Sequence, residues 1–310
     1  MKVLKAAKSI RRNYAVLCGR LLGVTELIVA SIAALLTGRL VPKYHAEEAN
    51  LDALVICPSP LLNDQFIDEA CRSRYLISFV NNACLSPQFL VLQPERFFLI
   101  DPAFFCDPAD RPALEKTIDT VIERIATHTS WPMSVIIPWH YRNSNNAQAM
   151  AHNPNIKVVA IPIFNSRGTW LQAKYAGFRN GILNPIYRNV LIAAIFYNIR
   201  AQHNRVFIWG AHNTWLKNVS VDMSNQVLHS LQHTETQRFG QPLLNLDGSP
   251  TRYHEYLNQL ATTFEQHHVL NEFSISQGKK IINVTDDSFI DAYDRCENLD
   301  IFRSRSLSVP

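Results

Sequence analysis

The chain has 310 residues, of which 47% are apolar and 18% charged, with a formal net charge of +4. That length supports one large α/β domain or two smaller ones with a sizeable core, and so mild a charge gives no reason to expect a nucleic-acid partner. Six scattered cysteines with no C-x-x-C pair point to neither a metal site nor a disulfide framework, and so to buried thiols in a reducing compartment.

Residues 1–45 form the first expected unit. Lys2, Lys5, Lys8, Arg11 and Arg12 precede the stretch YAVLCGRLLGVTELIVASIAALLTGRLVPKY. Its uninterrupted apolar part, Leu27 to Leu36, is short, and Arg20 and Glu26 break the longer run. A spanning helix needs about 20 mainly apolar residues, so this one is marginal. No A-x-A cleavage site follows that would mark a signal peptide. The expectation is an interfacial or dimerising helix whose basic flank faces anionic lipid.

Residues 46–300 form the second unit. Strands are expected at Ala53–Cys57, Tyr75–Val80, Phe97–Ile100, Ser134–Pro138, Val158–Ile163, Val206–Trp209 and Lys280–Asn283. Between them, Ala113–Thr127 carries Leu114, Ile118, Val121, Ile122 and Ile125 at helical spacing. Asn189–Ala201 is apolar nearly all round, which predicts a helix buried between layers. Arg252–Phe273 sets Tyr256, Leu260, Phe264 and Leu270 on one face. Short strands alternating with helices predict an α/β fold with a mainly parallel, Rossmann-like sheet flanked by helices. Two long excursions interrupt it, Phe164–Pro185 and residues 213–250, and the second is read as a lid or acceptor-binding element. Residues 301–310 are read as a tail.

In parallel sheets ligands bind beyond the carboxyl ends of the strands. Those ends carry Ser59 with Asn63, Asn81 with Asn82, Asp101 before Pro102, His140, Asn165, His212 with Asn213, and Asn283 with Thr285. A row of small hydrogen-bonding side chains suits a base and ribose edge better than a bare phosphate. The chain has no P-loop lysine, no paired metal-binding aspartates and no G-x-S-x-G elbow. His212 follows a strand and a Gly-Ala turn, and it is the first choice for an acid–base or phosphate-contacting group. Tyr175, Arg179 and Asn180 are candidates for assisting a leaving phosphate.

The order of these motifs resembles the bacterial sialyltransferases of glycosyltransferase family 42 and their relatives among motility-accessory and polysaccharide-cluster proteins. LVICPSPLLND resembles the turn after the family's first strand, SFVNNACL the second strand with its asparagine, and FFLIDPAFF the third. GFRNGIL, RNVLIAAIFYNIRAQHNRVFIWGAHNTW and GKKIINVTDDSFIDAYDR resemble the family's buried helix, the strand and turn that follow it, and its last strand. The likeness runs from about residue 50 to 296. It implies that Ser59 and Asn63 border the donor phosphate and ribose. Asn82 and Asp101 would face the sugar nucleotide, and Asn283 with Thr285 would cap the cytidine end. It also makes His233 and His254 competitors of His212, because the family places its catalytic histidine in their region. The chain departs from the family at its first turn, where the family's glycines are missing and Pro58 lacks a backbone donor.

The resemblance implies a metal-independent glycosyltransferase that moves an acidic sugar from a CMP-activated donor to a cell-surface glycan. No cofactor is expected beyond that donor substrate. The expected partners are the donor, a glycan or lipid-linked glycan acceptor and a peripherally touched membrane, without nucleic acid and with homo-oligomerisation left open. The expected location is cytoplasmic, at the inner face of the inner membrane. Two other readings stand beside it: diphosphate transfer as in relatives of the pterin pyrophosphokinases, and a non-catalytic nucleotide-binding scaffold.

Overall fold

The computed structural model describes residues 2–37, 51–59, 75–106, 115–232, 237–245 and 248–296. Asn63, His233 and the tail 301–310 lie outside the described residues. The strands in chain order are β1 (Asp52–Ile56), β2 (Tyr75–Val80), β3 (Arg96–Phe98), β4 (Met133–Pro138), β5 (Ile156–Ile161) and β6 (Arg205–Trp209). They continue with β7 (Val219–Val221), β8 (Val227–Gln232), β9 (Gln237–Pro242), β10 (Lys280–Asn283) and β11 (Asp294–Arg295). Eight of them form one sheet in the order β11-β10-β6-β1-β2-β3-β4-β5, with every neighbouring pair parallel. The expected mainly parallel α/β fold is therefore present.

The helices are α1 (Lys2–Thr37), α2 (Gln88–Leu92), α3 (Glu115–His128), α4 (Asn145–Ala151), α5 (Leu171–Asn180), α6 (Val190–Arg200) and α7 (Tyr253–Ser276). Alternation along each strand sends neighbouring side chains to opposite faces. Leu54 and Ile56 of β1 join a core with α2, α3 and α4, whereas Ala53 and Val55 join a second core with α1, α5, α6 and α7. Strands covered on both sides read as continuous apolar runs. Every residue of β1 and β2 is buried accordingly. The excursion at residues 164–185 contains α5, and the one at 213–250 contains the separate antiparallel sheet β7-β8-β9. Cys57 and Cys84 are buried as expected, and Cys18 on α1 is exposed. Burial pushes the Cys57 thiol up to about 12.

The all-round apolar sequence of α6 has its predicted consequence: Leu191 through Ile199 are buried. The amide of its buried Asn198 is fully used. Asn198 Nδ2 donates to Ser78 Oγ at 3.2 Å and to the Ala194 carbonyl at 2.9 Å. Its Oδ1 accepts from Arg96 Nη1 at 2.6 Å, and Arg96 also bonds His203 Nε2 at 3.0 Å. A guanidinium this deep needs acceptors in place of its water, and Asn198 and His203 supply two of them. Asn198→Ala is predicted to lower the unfolding free energy by roughly 3 kcal/mol, because it strips a buried cation of an acceptor. Urea denaturation measures this, and a loss under about 1 kcal/mol would mean that water substitutes for the amide.

Candidate active site at the β1–β6 crossover

The chain moves from β1 through β2, β3 and β4 to β5 on one side, then returns to place β6 against the other side of β1. Open α/β sheets bind ligands at such a switch point, beyond the carboxyl ends of the two strands. A cleft of about 410 Å³ lies there. That volume falls in the range of small-molecule sites. Its wall comprises Cys57 and Pro58 after β1, Asn81 after β2, and Gly210 through Trp215 after β6. The first turn of α6 closes one side with Asn189, Val190 and Leu191, and the antiparallel sheet adds His229 and Ser230.

Gly210 makes the two turns meet. It has φ +74°, and a Cβ there would lie 2.7 Å from the Cys57 carbonyl oxygen and 3.0 Å from Ser59 Cβ. Glycine alone satisfies both the left-handed backbone and the close approach. The segment after β10 then clamps the turn. Ala211 N donates to Thr285 Oγ1 at 3.0 Å, and Ser288 Oγ donates to the Ala211 carbonyl at 2.6 Å. Asn283 supports the clamp from beneath, through Nδ2 to Ser288 Oγ at 3.0 Å and through Oδ1 from Thr285 N at 3.0 Å. Asn283 and Thr285 are both buried in this network.

The clamp also orients His212. Its Nδ1 lies 2.9 Å from the Asp287 carbonyl oxygen. A carbonyl only accepts, so Nδ1 carries the proton, and in the neutral ring Nε2 offers the lone pair. Nε2 lies 3.0 Å from Ser59 Oγ, which therefore donates to it. Ser59 is fully enclosed, which makes it a support for the imidazole and not an open nucleophile. Asp287 belongs to the same loop, where Lys217 Nζ bonds it at 2.9 Å and holds its carboxyl below the ordinary value.

Three further features mark the cleft. Asn81 and Asn213 adopt left-handed backbones, with φ 47° and 50°, at the ends of adjoining segments. Such conformations concentrate at functional sites. Asn81 Oδ1 is enclosed without a hydrogen-bond partner. An orphan acceptor in a cleft wall is a place for a ligand donor. The N-terminus of α6 brings the positive end of its dipole to the same wall, with Asn189 Oδ1 capping Ile192 N at 3.0 Å.

The site residues expected from the sequence distribute unevenly. His212 lies in the cleft wall with Ser59 behind it, and Asn283 with Thr285 forms the clamp below. Of the pair at the end of β2, Asn81 lines the cleft and opens a 3-10 turn, and Asn82, the second residue of that turn, is not among the lining residues. Asp101 is exposed beyond β3, where its Oδ1 accepts from Ala103 N at 2.9 Å and caps a turn. Asn180 sits at the exposed end of α5 and donates to the Ala176 carbonyl at 3.0 Å. His254 is exposed in the first turn of α7. Asp101, Asn180 and His254 are not among the residues that line the cleft. Sequence reading passed over Asn189 and His229. A signal for Asn189 exists, a capping residue directly before an apolar helix. His229 has no such signal, because a long insertion carries it to the cleft.

No protein-family model matches the chain, and no curated protein matches it. Among solved structures it is similar to the MAf glycosyltransferase from Magnetospirillum magneticum AMB-1, with 12% identity and a TM-score of 0.45 over 87% of this chain. The match covers 38% of that protein, so this chain spans well under half of its length. A likeness of that strength decides nothing about chemistry. Neither does any comparison tie the chain to the sialyltransferases that its motifs resemble.

Gly210→Ala is predicted to cost about 1–3 kcal/mol, since the methyl strikes the Cys57 carbonyl in a backbone already strained for alanine. Gly240→Ala, at a left-handed glycine with open space around it, carries the strain alone. Equal losses in the two variants, measured by urea denaturation, would show that packing against Cys57 is unimportant.

Asn213 is backed by His267, whose Nε2 lies 3.5 Å from its amide and whose Nδ1 lies 2.8 Å from the Tyr293 hydroxyl. Burial, with His268 beside it, pulls the His267 pKa down to about 3, against a smaller opposing effect of Asp291. The unfolded chain protonates this ring near pH 6.5 and the folded chain does not. Its contribution to stability is therefore complete above pH 6.5 and declines as pH falls toward 3. Between pH 7 and pH 5 the predicted loss is about 2 kcal/mol. Urea denaturation at both pH values checks this, with His267→Gln expected to lose that part of the pH dependence.

Proposed function

We propose that this protein is a glycosyltransferase that uses a nucleotide-activated sugar, with a CMP-linked acidic sugar as donor and a glycan or lipid-linked glycan as acceptor. The observation that carries the reading is His212, held in its Nδ1–H form by the Asp287 carbonyl with Nε2 on Ser59, at the edge of the switch-point cleft. Transfer from a CMP-sugar needs a base for the acceptor hydroxyl and stabilisation of the departing phosphate. His212 takes up the acceptor proton at Nε2 in exchange for the Ser59 hydroxyl. The Asp287 carbonyl then stabilises the imidazolium, as an orienting partner does for a catalytic histidine. The first N–H groups and dipole of α6 meet the developing phosphate charge, which lets the reaction run without a metal. Asn81 Oδ1 accepts from the amino edge of a base or from a ribose hydroxyl. Diphosphate transfer with Mg²⁺ would draw on carboxylates at the cleft. Among the described residues no three carboxylate, histidine or cysteine side chains gather to hold a metal, and Asp101 and Asp287 serve a turn cap and Lys217.

The test is a panel of CMP-, UDP- and GDP-sugars scored by nucleotide release, with thermal shift by the free nucleotides alongside. CMP should stabilise the chain, and His212→Ala should cut turnover about 10²–10⁴-fold. Stabilisation by ATP with Mg²⁺ alone, or by no nucleotide, would overturn the proposal.

Asn81→Gly keeps the left-handed backbone and deletes the orphan acceptor. It is predicted to weaken CMP binding about tenfold while leaving the melting temperature unchanged or higher, because an unpaired buried oxygen destabilises the empty protein. Calorimetric titration with a parallel melt reads both quantities. A lower melting temperature with unchanged affinity would show that Asn81 is a structural residue.

A further inference from the structure

α1 has two faces of opposite character. One faces the domain through small residues and backbone. The Gly19 carbonyl accepts from Thr169 N at 3.1 Å. Gly23 meets Gly168 so closely that a Cβ on Gly168 would lie 2.2 Å from the Gly23 Cα. The Glu26 carboxylate accepts from Ser166 Oγ at 3.2 Å, Arg167 N at 3.0 Å and Gly168 N at 2.9 Å. Farther along the same stripe Ala30 and Ala34 are buried.

The opposite side is open. Leu17, Leu21, Ile28, Ile32 and Leu35 are exposed, Leu35 to 82%, and helical spacing aligns them along one side. Only 11% of the stretch Val16–Leu35 is buried. Trp170 and Leu171, beside the Gly23 contact, are exposed and extend the apolar surface. The hydroxyls in this stretch need no water, since Thr25 donates to the Leu21 carbonyl at 3.0 Å and Ser31 to the Leu27 carbonyl at 2.6 Å. Lys2, Lys5, Lys8, Arg11 and Arg12 occupy the preceding turns of the same helix.

We propose that α1 is a monotopic anchor. It lies in the plane of an anionic lipid leaflet with its apolar side in the bilayer interface, while its glycine and alanine stripe stays on the domain. The cationic turns give the occupant its sign. Anionic headgroups attract them at about 1 kcal/mol each, whereas a second copy of this equally basic chain would repel them. Tryptophan beside such a helix suits the headgroup level. A spanning orientation would require α1 to leave the domain, and Glu26 would then enter hydrocarbon without its three donors. Such a charge is costly in the membrane. The anchor is independent of the sugar-transfer reading and uses none of its residues.

The full chain, carrying a protease-cleavable tag before Met1, is sedimented with vesicles of phosphatidylcholine with and without phosphatidylglycerol. The proposal expects at least tenfold more protein in the anionic pellet, release at high salt, and a tag that external protease still removes. Ile28→Glu with Ile32→Glu should abolish binding and leave the melting temperature unchanged, since both side chains are exposed. Met223→Glu, at a fully exposed turn elsewhere, should bind as the parent does. A chain that stays in the supernatant as a dimer by light scattering would overturn the proposal, with self-association covering the apolar side. A protected tag would show a spanning helix, and undiminished binding by the double variant would show a different membrane surface. Either would overturn it as well.

Discussion

At Gly210 the chain leaves β6 with a left-handed backbone and no Cβ, and the Cys57 carbonyl and the Ser59 side chain occupy the space a Cβ would need. That contact brings the ends of the two central strands to within hydrogen-bonding reach of each other. Ser59 lies 153 positions from His212, yet their side chains meet at 3.0 Å. The loop after β10 can grip Ala211 and His212 only because this turn is tight. Thr285, Ser288 and the Asp287 and Phe289 backbones each bind a different atom of it. A histidine positioned from both ring nitrogens is pre-organised at the edge of the cleft.

The cleft inherits its polarity from the sheet beneath it. Strands covered on both faces carry few charges, and the buried Arg96 and Asp52 are hydrogen-bonded where they occur, so most of the free hydrogen-bonding groups collect where the strands end. There they either saturate one another, as in the network of Asn283, Thr285 and Ser288, or remain available, as at Asn81 Oδ1. The distinction separates residues that brace the cleft from one whose acceptor is left unspent. It explains how chemically similar asparagines, Asn81 and Asn283, serve different ends within one site.

α1 shows a related economy at the other end of the chain. Its contact with the domain is made mainly by backbone, glycine, alanine, Leu27 and a single carboxylate, which leaves most of its large apolar side chains exposed. An aqueous protein would bury those side chains on its own core. Here α5, α6 and α7 supply most of that core, and α1 joins it chiefly through small residues such as Ala30. Glycine at 168 permits the backbone contact with Gly23, since a Cβ there would strike the Gly23 backbone, and glycine at 19 leaves room for the Thr169 side chain.

The sequence alone determined the layered α/β architecture, because burial on both faces of a parallel strand leaves an uninterrupted apolar run that periodicity reports directly. The same holds for α6, whose apolar circumference has no use except between layers. His212 was legible as well, since it follows a strand and a glycine turn. Only the tertiary structure decided which asparagine after β2 faces the cleft, because one step along a tight turn redirects a side chain entirely. It also separated Asp101 from the cleft, since β1 and β2 lie between β3 and β6 and the aspartate satisfies its own turn. His229 reaches the cleft across an inserted antiparallel sheet whose placement depends on contacts remote in sequence. Local pattern records how each residue is buried. Which distant residues become neighbours is settled by strand order, and strand order is a property of the assembled sheet.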